Sequence, residues 1–157
     1  MSDRQQPEIT WKIKSFEELT TTELHDLLKL RVDVFVVEQA CAYPEIDGKD
    51  PMCIHVLGKN ETGEVIATAR LAPAGVIYPE VSIGRVVVQE SLRSFGFGKV
   101  VMEHAMNFCK DELRATSIKI AGQLHLKKFY SDLGFDQISE VYLWDGIEHI
   151  DMRYVKG

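Results

Sequence analysis

The sequence predicts a single α/β domain in which helices flank a mixed β-sheet. Short β-branched runs alternate with stretches of helical periodicity, and no linker or repeat interrupts them. A glycine-containing turn at residues 96–98 joins a strand to a helix, as in a parallel crossover, whereas Asp145 and Gly146 separate two alternating segments and mark a hairpin. We therefore expect antiparallel strands at both ends of the sheet and one parallel pair around the glycine-rich helix.

The N-terminal half predicts a strand, a helix and a hairpin, in that order. Residues 9–14 can form the first strand. Residues 20–22 are threonines, whose hydroxyls can cap a helix that extends toward Phe35. Residues 54–57 and 64–71 flank an Asn-Glu-Thr-Gly segment, which predicts a hairpin.

Residues 42–52, between that helix and the hairpin, are predicted to form a loop because they contain two prolines and a glycine. Glu45, Asp47 and Asp50 lie in this loop but lack the spacing of an EF-hand calcium site. We interpret them as solvated turn carboxylates.

A central strand is predicted at residues 83–88, which read Ile-Gly-Arg-Val-Val-Val. Gly84 within this run indicates a β-bulge or a close approach of the backbone, and packing beside a large neighbour explains it equally well. Apolar residues recur at helical spacing from Val100 to Phe108, so a helix follows the glycine turn.

The C-terminal part continues the alternation. Residues 117–121 predict a short strand, and residues 124–133 predict a short helix that ends at Gly134 as its C-terminal cap. Residues 137–143 and 148–154 then form the arms of the final hairpin.

Length and charge exclude several classes of protein. The chain has 157 residues, the size of one domain, which we place at residues 1–157 with a core at about 10–155. The net charge of −6 argues against a nucleic-acid partner. Residues 1–7 contain no charged, apolar-cored leader, and no apolar run approaches the ~18 residues of a membrane span. We therefore expect a cytoplasmic protein with no membrane partner.

The cysteines argue against a disulfide framework and against structural zinc, because there are three of them and no Cys-x-x-Cys pair. Cys41, Cys53 and His55 can supply three metal ligands, but no fourth ligand accompanies them. We interpret the cysteines as small buried residues and expect no metal.

Residues 92–99 have the features of a phosphate cradle. Gly96 and Gly98 lie where a helix begins, so the backbone can approach a ligand closely, and the first-turn N–H groups favour an anion. Arg93 and Lys99 add positive charge. The spacing matches neither a Walker A loop nor the dinucleotide fingerprint. A tight turn that binds nothing is the alternative explanation.

Two motifs in this order resemble those of the GNAT superfamily of N-acetyltransferases. The family's acyl-CoA pyrophosphate loop has the pattern Arg or Gln, two residues, Gly, one residue, Gly or Ala. It is matched by Arg93-Ser94-Phe95-Gly96-Phe97-Gly98. The second motif is Phe-Tyr-x-x-x-Gly-Phe at residues 129–135.

Further segments resemble the ElaA-like branch of this superfamily. They are Leu-Arg-Val-Asp-Val-Phe-Val-Val-Glu-Gln at residues 30–39, Tyr-Pro-Glu at 43–45, Asp-Gly at 47–48 and Asp-Gly-Ile-Glu-His-Ile at 145–150. Together with the two motifs above, the resemblance covers roughly residues 10 to 155 of the chain.

The resemblance implies the acyl-CoA N-acyltransferase fold, with a V-shaped split between the strands at 83–88 and 117–121. It also implies direct transfer from acetyl-CoA, the co-substrate, to an amine of a small molecule or peptide. Backbone N–H groups around Val86, Val87 and Val88 would hold the pantetheine and polarise the thioester carbonyl. The pyrophosphate would be bound by the loop residues Arg93, Ser94, Phe95, Gly96, Phe97, Gly98 and Lys99.

The resemblance assigns the general acid to Tyr130, because the family places a tyrosine near the departing sulfur. A phenol has a reference pKa near ~10, so it is protonated at neutral pH and can donate to a thiolate. The residues at 83–88 include no carboxylate that could act as the base seen in many GNAT enzymes. Glu38 and His125 are the candidate bases, and a structural role for each is the alternative.

Four residues are candidates for the acceptor pocket, namely Arg31, Phe35, Gln123 and His149. Arg31 lies in an apolar helix and can bind an acceptor carboxylate, although an ion pair with Asp33 or Glu38 explains it better. Tyr43 and Trp144 can line the same pocket or belong to the core.

Two other functions compete with N-acetyl transfer. One is an acyl-CoA-binding sensor without turnover, and the other is an interaction domain in which the glycine turn is purely structural. Both a monomer and a homodimer are compatible with the sequence.

Overall fold

The computed structural model describes residues 6–157. Residues 1–5, which belong to the segment 1–7 in which we expect no leader, lie outside the described residues. Within 6–157 the chain forms one eight-stranded sheet with three α-helices. The elements are β1 Thr10–Ser15, α1 Thr21–Val32, β2 Ile54–Lys59, β3 Val65–Ala72, β4 Val81–Val88, α2 Phe97–Asp111, β5 Ser117–Gln123, α3 Lys127–Asp132, β6 Asp136–Gln137, β7 Tyr142–Trp144 and β8 Ile147–Val155. Among the described helices, none is both long and apolar enough to cross a membrane.

The strand order is β1-β2-β3-β4-β5-β8-β6, and β7 also pairs with β8. Every pair is antiparallel except β4 and β5, which are parallel. The predicted mixed sheet with one parallel pair is therefore confirmed. Register pairing between β4 and β5 is limited to Val81 with Ile118 and Ser82 with Lys119. Beyond these pairs the two strands part, which forms the split that the family resemblance implies.

Helix α1 begins at a capping box, as the threonines at 20–22 predict. The Thr20 hydroxyl accepts the Glu23 N–H at 3.0 Å, and the Glu23 carboxylate accepts the Thr20 N–H at 2.9 Å. The helical path continues past α1 as a π-helical segment, Asp33–Glu38, in which the wider turn is closed by the Gln39 N–H and the Val34 carbonyl at 3.1 Å. The path thus runs past Phe35, but not as an α-helix.

The sheet is covered on both faces. Val101, Met102, Ala105 and Cys109 on one side of α2 are fully buried against it, and Val56 of β2 points to the same side. Leu27 and Leu30 of α1 pack on the opposite face, which Leu57 of β2 joins. Strand β4 therefore lies between two apolar layers, since it contributes Ile83 to the cluster on the α2 side and Val87 to the cluster on the α1 side.

Two predicted elements are divided by short irregular pieces. The helix expected at 124–133 begins as a 3₁₀ turn, Leu124–Leu126, and only then becomes α3, so His125 and Tyr130 do not share one helix. The strand expected at 137–143 is split into β6 and β7, both of which pair with β8. Asp145 and Gly146 have φ of 50° and 78°, which is the left-handed turn that their sequence predicts.

Candidate functional site

A cleft of about 640 Å³ lies where β4 and β5 part. Its walls come from those two strands, the start of α2, the π-helical segment and the β7–β8 hairpin. The predicted site residues that line it are Val86, Val87, Val88, Arg93, Gly96, Gly98, Lys99, Tyr130, Glu38, His125, Phe35, Gln123 and His149. Tyr43 and Trp144 also lie in the cleft wall.

Ser94, Phe95 and Phe97 belong to the glycine turn but not to the lining of the cleft. The Phe97 ring is 3% exposed and packs against Phe95 and Trp11, with centroid distances of 5.9 and 6.5 Å. It anchors the start of α2 in the core, so the backbone of the turn is held in place while its other side faces the cleft.

The glycine turn is open above the first turn of α2. Gly96 has φ of +78°, and a Cβ added there would meet no atom within 4 Å. A Cβ on Gly98 would lie 3.7 Å from the Phe129 ring, an ordinary contact. This open space adjoins the start of the helix, whose first N–H groups lack intrahelical partners and favour an anion, so the turn can accommodate a pyrophosphate.

The two cations of the turn differ. Arg93 donates through Nε to the Val88 carbonyl at 3.0 Å and through Nη1 and Nη2 to the two Glu38 carboxylate oxygens at 2.7 and 2.9 Å. Lys99 has a side chain that is 69% exposed and lies 3.9 Å from Glu103. Arg93 thus joins the turn to the π-helical segment, whereas Lys99 can reach a bound anion.

Strand β4 contains a bulge, which confirms one of the two explanations for Gly84. Gly84 pairs with Arg70 and Val87 pairs with Thr68, so two residues of β4 oppose one residue of β3. Arg85, inside the bulge, has φ of 52°. The bulge takes Arg85 and Val86 out of the β3 ladder at the point where β4 borders the cleft.

Tyr130 stands on the other wall, with its ring 8% exposed between Phe129 and Phe135. A Cβ on Gly122 of β5 would come within 3.0 Å of that ring, so the absence of a side chain at Gly122 leaves room for the ring to pack against the strand. Burial raises the pKa of Tyr130 to about 12. The phenol therefore keeps its proton across the neutral range and can act as a donor.

One histidine of the cleft has a fixed orientation. His149 Nδ1 lies 2.8 Å from the Ile147 carbonyl, so this nitrogen donates the hydrogen bond and the carbonyl accepts it. Its ring lies beside Tyr142 and Trp144. The His125 side chain makes no hydrogen bond to any other described residue.

Two contacts cross the cleft. The amides of Gln39 and Gln123 face each other, and each donates to the other at 3.3 Å. The Cys41 thiol donates to the Asp145 carbonyl at 3.5 Å. They connect the chain after the π-helical segment to β5 and to the final hairpin.

Next to the cleft, and sharing Arg85 with its wall, lies a group that we call the arginine–carboxylate cluster, formed by Arg31, Arg70, Arg85, Glu45, Asp47 and Asp50. Arg31 contacts Glu45 at 2.6 Å and Asp50 at 2.7 Å, Arg70 contacts Asp47 at 2.8 Å, and Arg85 contacts Glu45 at 2.8 Å. Glu45 and Asp50 are 3% and 4% exposed. The interpretation of the loop carboxylates as solvated was wrong for Glu45 and Asp50, which are buried and paired with arginines from distant elements, whereas Asp47 is exposed although it pairs with Arg70.

Arg31 does not reach the cleft, since its side chain is 1% exposed and its guanidinium is held by Glu45 and Asp50. The structure thus places it in an ion pair, but not with the partners expected from sequence. Asp33 pairs with Lys29, and Glu38 pairs with Arg93. The cluster fixes the loop at 42–52 against β3 and β4.

Charge shapes the titration of this cluster. Burial by itself raises the pKa of Asp50, but hydrogen bonds and charge from Arg31 and Arg70 outweigh burial and hold it below its usual value. The Tyr43 hydroxyl donates to Glu45, and burial together with this bond raises the pKa of Tyr43. Tyr43 is therefore a neutral donor in the cleft wall.

The cleft residues that sequence reasoning missed include Gln39, Cys41 and Arg85. The signal for Arg85 was present, since a charged residue follows Gly84 inside an otherwise apolar strand. Within residues 6–157, no group of three His, Cys, Asp or Glu side chains is arranged to hold a metal ion. The His55 ring is instead 3.0 Å from the Asp50 carbonyl.

A split mixed sheet, a bulge in β4 and an open glycine turn at the start of α2 define the acyl-CoA N-acyltransferase fold. Residues 36–156 match the family model of the acetyltransferase (GNAT) domain. The chain belongs to the GNAT superfamily and to its ElaA-like branch. Acyl transfer with acyl-CoA as donor is therefore the general chemistry of the site.

Individual relatives agree with this assignment. A UPF0039 protein of Schizosaccharomyces pombe is 40% identical over 141 residues, which cover 89% of this chain and 93% of the relative. The ElaA protein of Escherichia coli is 40% identical over 147 residues, 92% of this chain and 95% of ElaA. The crystal structure of an acyl-CoA N-acyltransferase from Pseudomonas aeruginosa has a TM-score of 0.89 and 37% identity, with 94% of this chain and 100% of that chain covered.

Proposed function

We propose that the protein is an acetyl-CoA-dependent N-acetyltransferase, in which residues 1–157 act as one domain on an amine of a small molecule or peptide. The observation that carries this proposal is the open turn at Gly96 and Gly98, which leads into a cleft that also contains the Tyr130 phenol. Bound acetyl-CoA would supply a thioester carbonyl for direct attack by the amine.

The chain's own groups divide into binding and chemical roles. The main chain at Gly96 and Gly98 would bind the pyrophosphate, with Lys99 as the exposed cation and Arg93 as the residue that positions the turn. Backbone N–H groups around Val86, Val87 and Val88 would hold the pantetheine and the carbonyl oxygen. Ser94, Phe95 and Phe97 would support the shape of the turn from outside the cleft.

Tyr130 would donate the proton to the departing thiolate. Glu38 or His125 would remove the proton from the amine, which is mostly protonated at neutral pH. Both Glu38 oxygens already accept hydrogen bonds from Arg93, whereas His125 is free of such bonds among the described residues. Phe35, Gln123 and His149 would shape the acceptor side.

Two measurements test the function. Acetyl-CoA at a hundred times its dissociation constant should stabilise the protein by about 2.7 kcal/mol, which a thermal melt detects. A panel of amines, polyamines, aminoglycosides and peptide N-termini should include acceptors that release the CoA thiol. Stabilisation without thiol release from any acceptor would favour a sensor, and no stabilisation would refute the binding site.

Replacing Tyr130 with phenylalanine should lower kcat about 100-fold with little change in acetyl-CoA affinity, because only the proton donor is lost. Steady-state kinetics and calorimetric titration with acetyl-CoA measure the two effects. Tyr154→Phe is the matched control, since its ring packs on Phe135 outside the cleft lining. An unchanged kcat in Tyr130→Phe would remove the acid assignment.

A further inference from the structure

Arg85 has a backbone conformation that residues other than glycine rarely adopt. Its φ of 52° lies in the left-handed region, inside the bulge of β4. Such a conformation is strained for a residue that has a Cβ, and it persists only where the surroundings fix it. Here the surroundings are Glu45 and Tyr43, with the guanidinium carbon 5.8 Å from the centre of the Tyr43 ring.

The three guanidinium nitrogens of Arg85 differ in the contacts that they make. Nε donates to the Glu45 carboxylate at 2.8 Å, and Nη2 donates to the Glu45 carbonyl at 3.2 Å and lies 3.5 Å from Asp47. Nη1 has no partner within residues 6–157. The side chain is 16% exposed and forms part of the cleft wall. One end of a rigid guanidinium is therefore left to contact a molecule in the cleft.

The rest of the arginine–carboxylate cluster cannot satisfy Nη1. Its three arginines and three carboxylates are already paired with one another, and Arg31 and Arg70 lie deeper than Arg85. The Tyr43 hydroxyl is also engaged, since it donates to Glu45. An oxygen from outside the chain is the natural partner, and a carboxylate binds guanidinium N–H groups most strongly.

We propose that Arg85 binds a carboxylate of the acceptor, so that the acceptors are amino acids and related short aminocarboxylates. This inference depends on the proposed N-acetyltransferase function. Arg85 and Val87 both line the cleft and are two residues apart in the chain, so their Cα atoms are within ~7 Å of each other. An acceptor whose amine attacks a thioester held at Val87 while its carboxylate contacts Arg85 must therefore carry an amine and a carboxylate in one molecule.

The first test uses the unaltered protein and pairs of acceptors that differ only in the carboxylate, such as phenylalanine with phenethylamine and lysine with cadaverine. The thiol-release assay gives kcat/KM for each. We expect the carboxylate-bearing member to be better by roughly 10- to 100-fold, the range for a hydrogen bond to a charged group. Equal use of both members, preference for the decarboxylated amine, or failure of every aminocarboxylate overturns the proposal.

The second test is Arg85→Lys, which keeps a cation beside Glu45. Lysine has a single side-chain nitrogen, so none is left to extend into the cleft. The preference within each pair should fall to near one, while stabilisation by acetyl-CoA persists. Arg153→Lys is the control, because Arg153 pairs with Glu80 outside the cleft lining and should leave the preference intact. A preference retained in Arg85→Lys overturns the proposal.

The two tests separate this inference from the proposed function. Transfer to amines with no carboxylate preference contradicts only the role of Arg85. If acetyl-CoA does not stabilise the unaltered protein and no amine is acetylated, both the role of Arg85 and the proposed function are refuted.

Discussion

Gly96→Glu is expected to abolish acyl-CoA binding while the protein remains folded. The left-handed φ of +78° costs a residue other than glycine about 1 kcal/mol, which a domain of this size tolerates. The new side chain meets no protein atom within 4 Å of its Cβ, so it extends into the open space above α2. There its carboxylate would face the phosphates across a few ångströms, and the affinity should fall at least about 100-fold. Calorimetric titration with acetyl-CoA measures the loss.

Gly63→Glu is a closely matched control for that variant. Gly63 has φ of +84° and an equally open Cβ position, but it lies in the turn between β2 and β3 and does not line the cleft. Both variants should lose similar stability in urea, and only Gly96→Glu should lose binding. Retained binding in Gly96→Glu would refute the assignment of the turn to the pyrophosphate.

Arg31→Met should destabilise the fold by about 3 kcal/mol, because it leaves Glu45 and Asp50 buried with fewer cationic partners. Arg70 and Arg85 still contact these carboxylates, so the loss should lie at the lower end of the range for a broken buried pair. Urea unfolding at pH 7 measures the effect. Lys29→Met removes another cation from α1, but its pair with Asp33 is exposed, and we expect little change.

The pH dependence of that effect follows from the direction of the Asp50 shift. Since the folded-state pKa is below the ordinary value, Asp50 contributes stability above its unfolded pKa and loses it as the pH falls through the folded pKa. Asp47 behaves alike: burial raises its pKa, but the hydrogen bonds from Arg70 hold it at about 2. In Arg31→Met the Asp50 pKa should rise, so acid unfolding should begin at a higher pH than in the unaltered protein. A loss no larger than in Lys29→Met would contradict the structural role of the cluster.

Local signals predicted the parts of the site that depend on local geometry. Gly96 and Gly98 before an amphipathic helix, and Asp145 with Gly146 between alternating segments, need only neighbouring residues to specify their conformation. The parallel pair of β4 and β5 followed from the turn that joins a strand to a helix. These predictions agree with the observed elements to within a few residues at each end.

The arginine–carboxylate cluster could not be predicted from sequence, because its pairs join residues 14 to 40 positions apart. A carboxylate in a proline-rich loop is usually solvated, and only the folded chain shows that Arg31 and Arg85 both donate to the Glu45 carboxylate. The π-helical segment is a similar case. Its wider turn depends on how α1 ends against the sheet, so the spacing of apolar residues along the sequence does not predict it.

The parting of β4 and β5 has a further consequence. Beyond Ser82, the side of β4 that faces β5 has no strand partner within residues 6–157, so this part of the protein contains a sheet edge in its interior. An extended molecule can hydrogen-bond to such an edge as an added strand does. Unlike an outer edge, this one is screened by the Gln39–Gln123 and Cys41–Asp145 contacts. The chain therefore keeps backbone groups available for a slender ligand without offering other protein chains a template for aggregation.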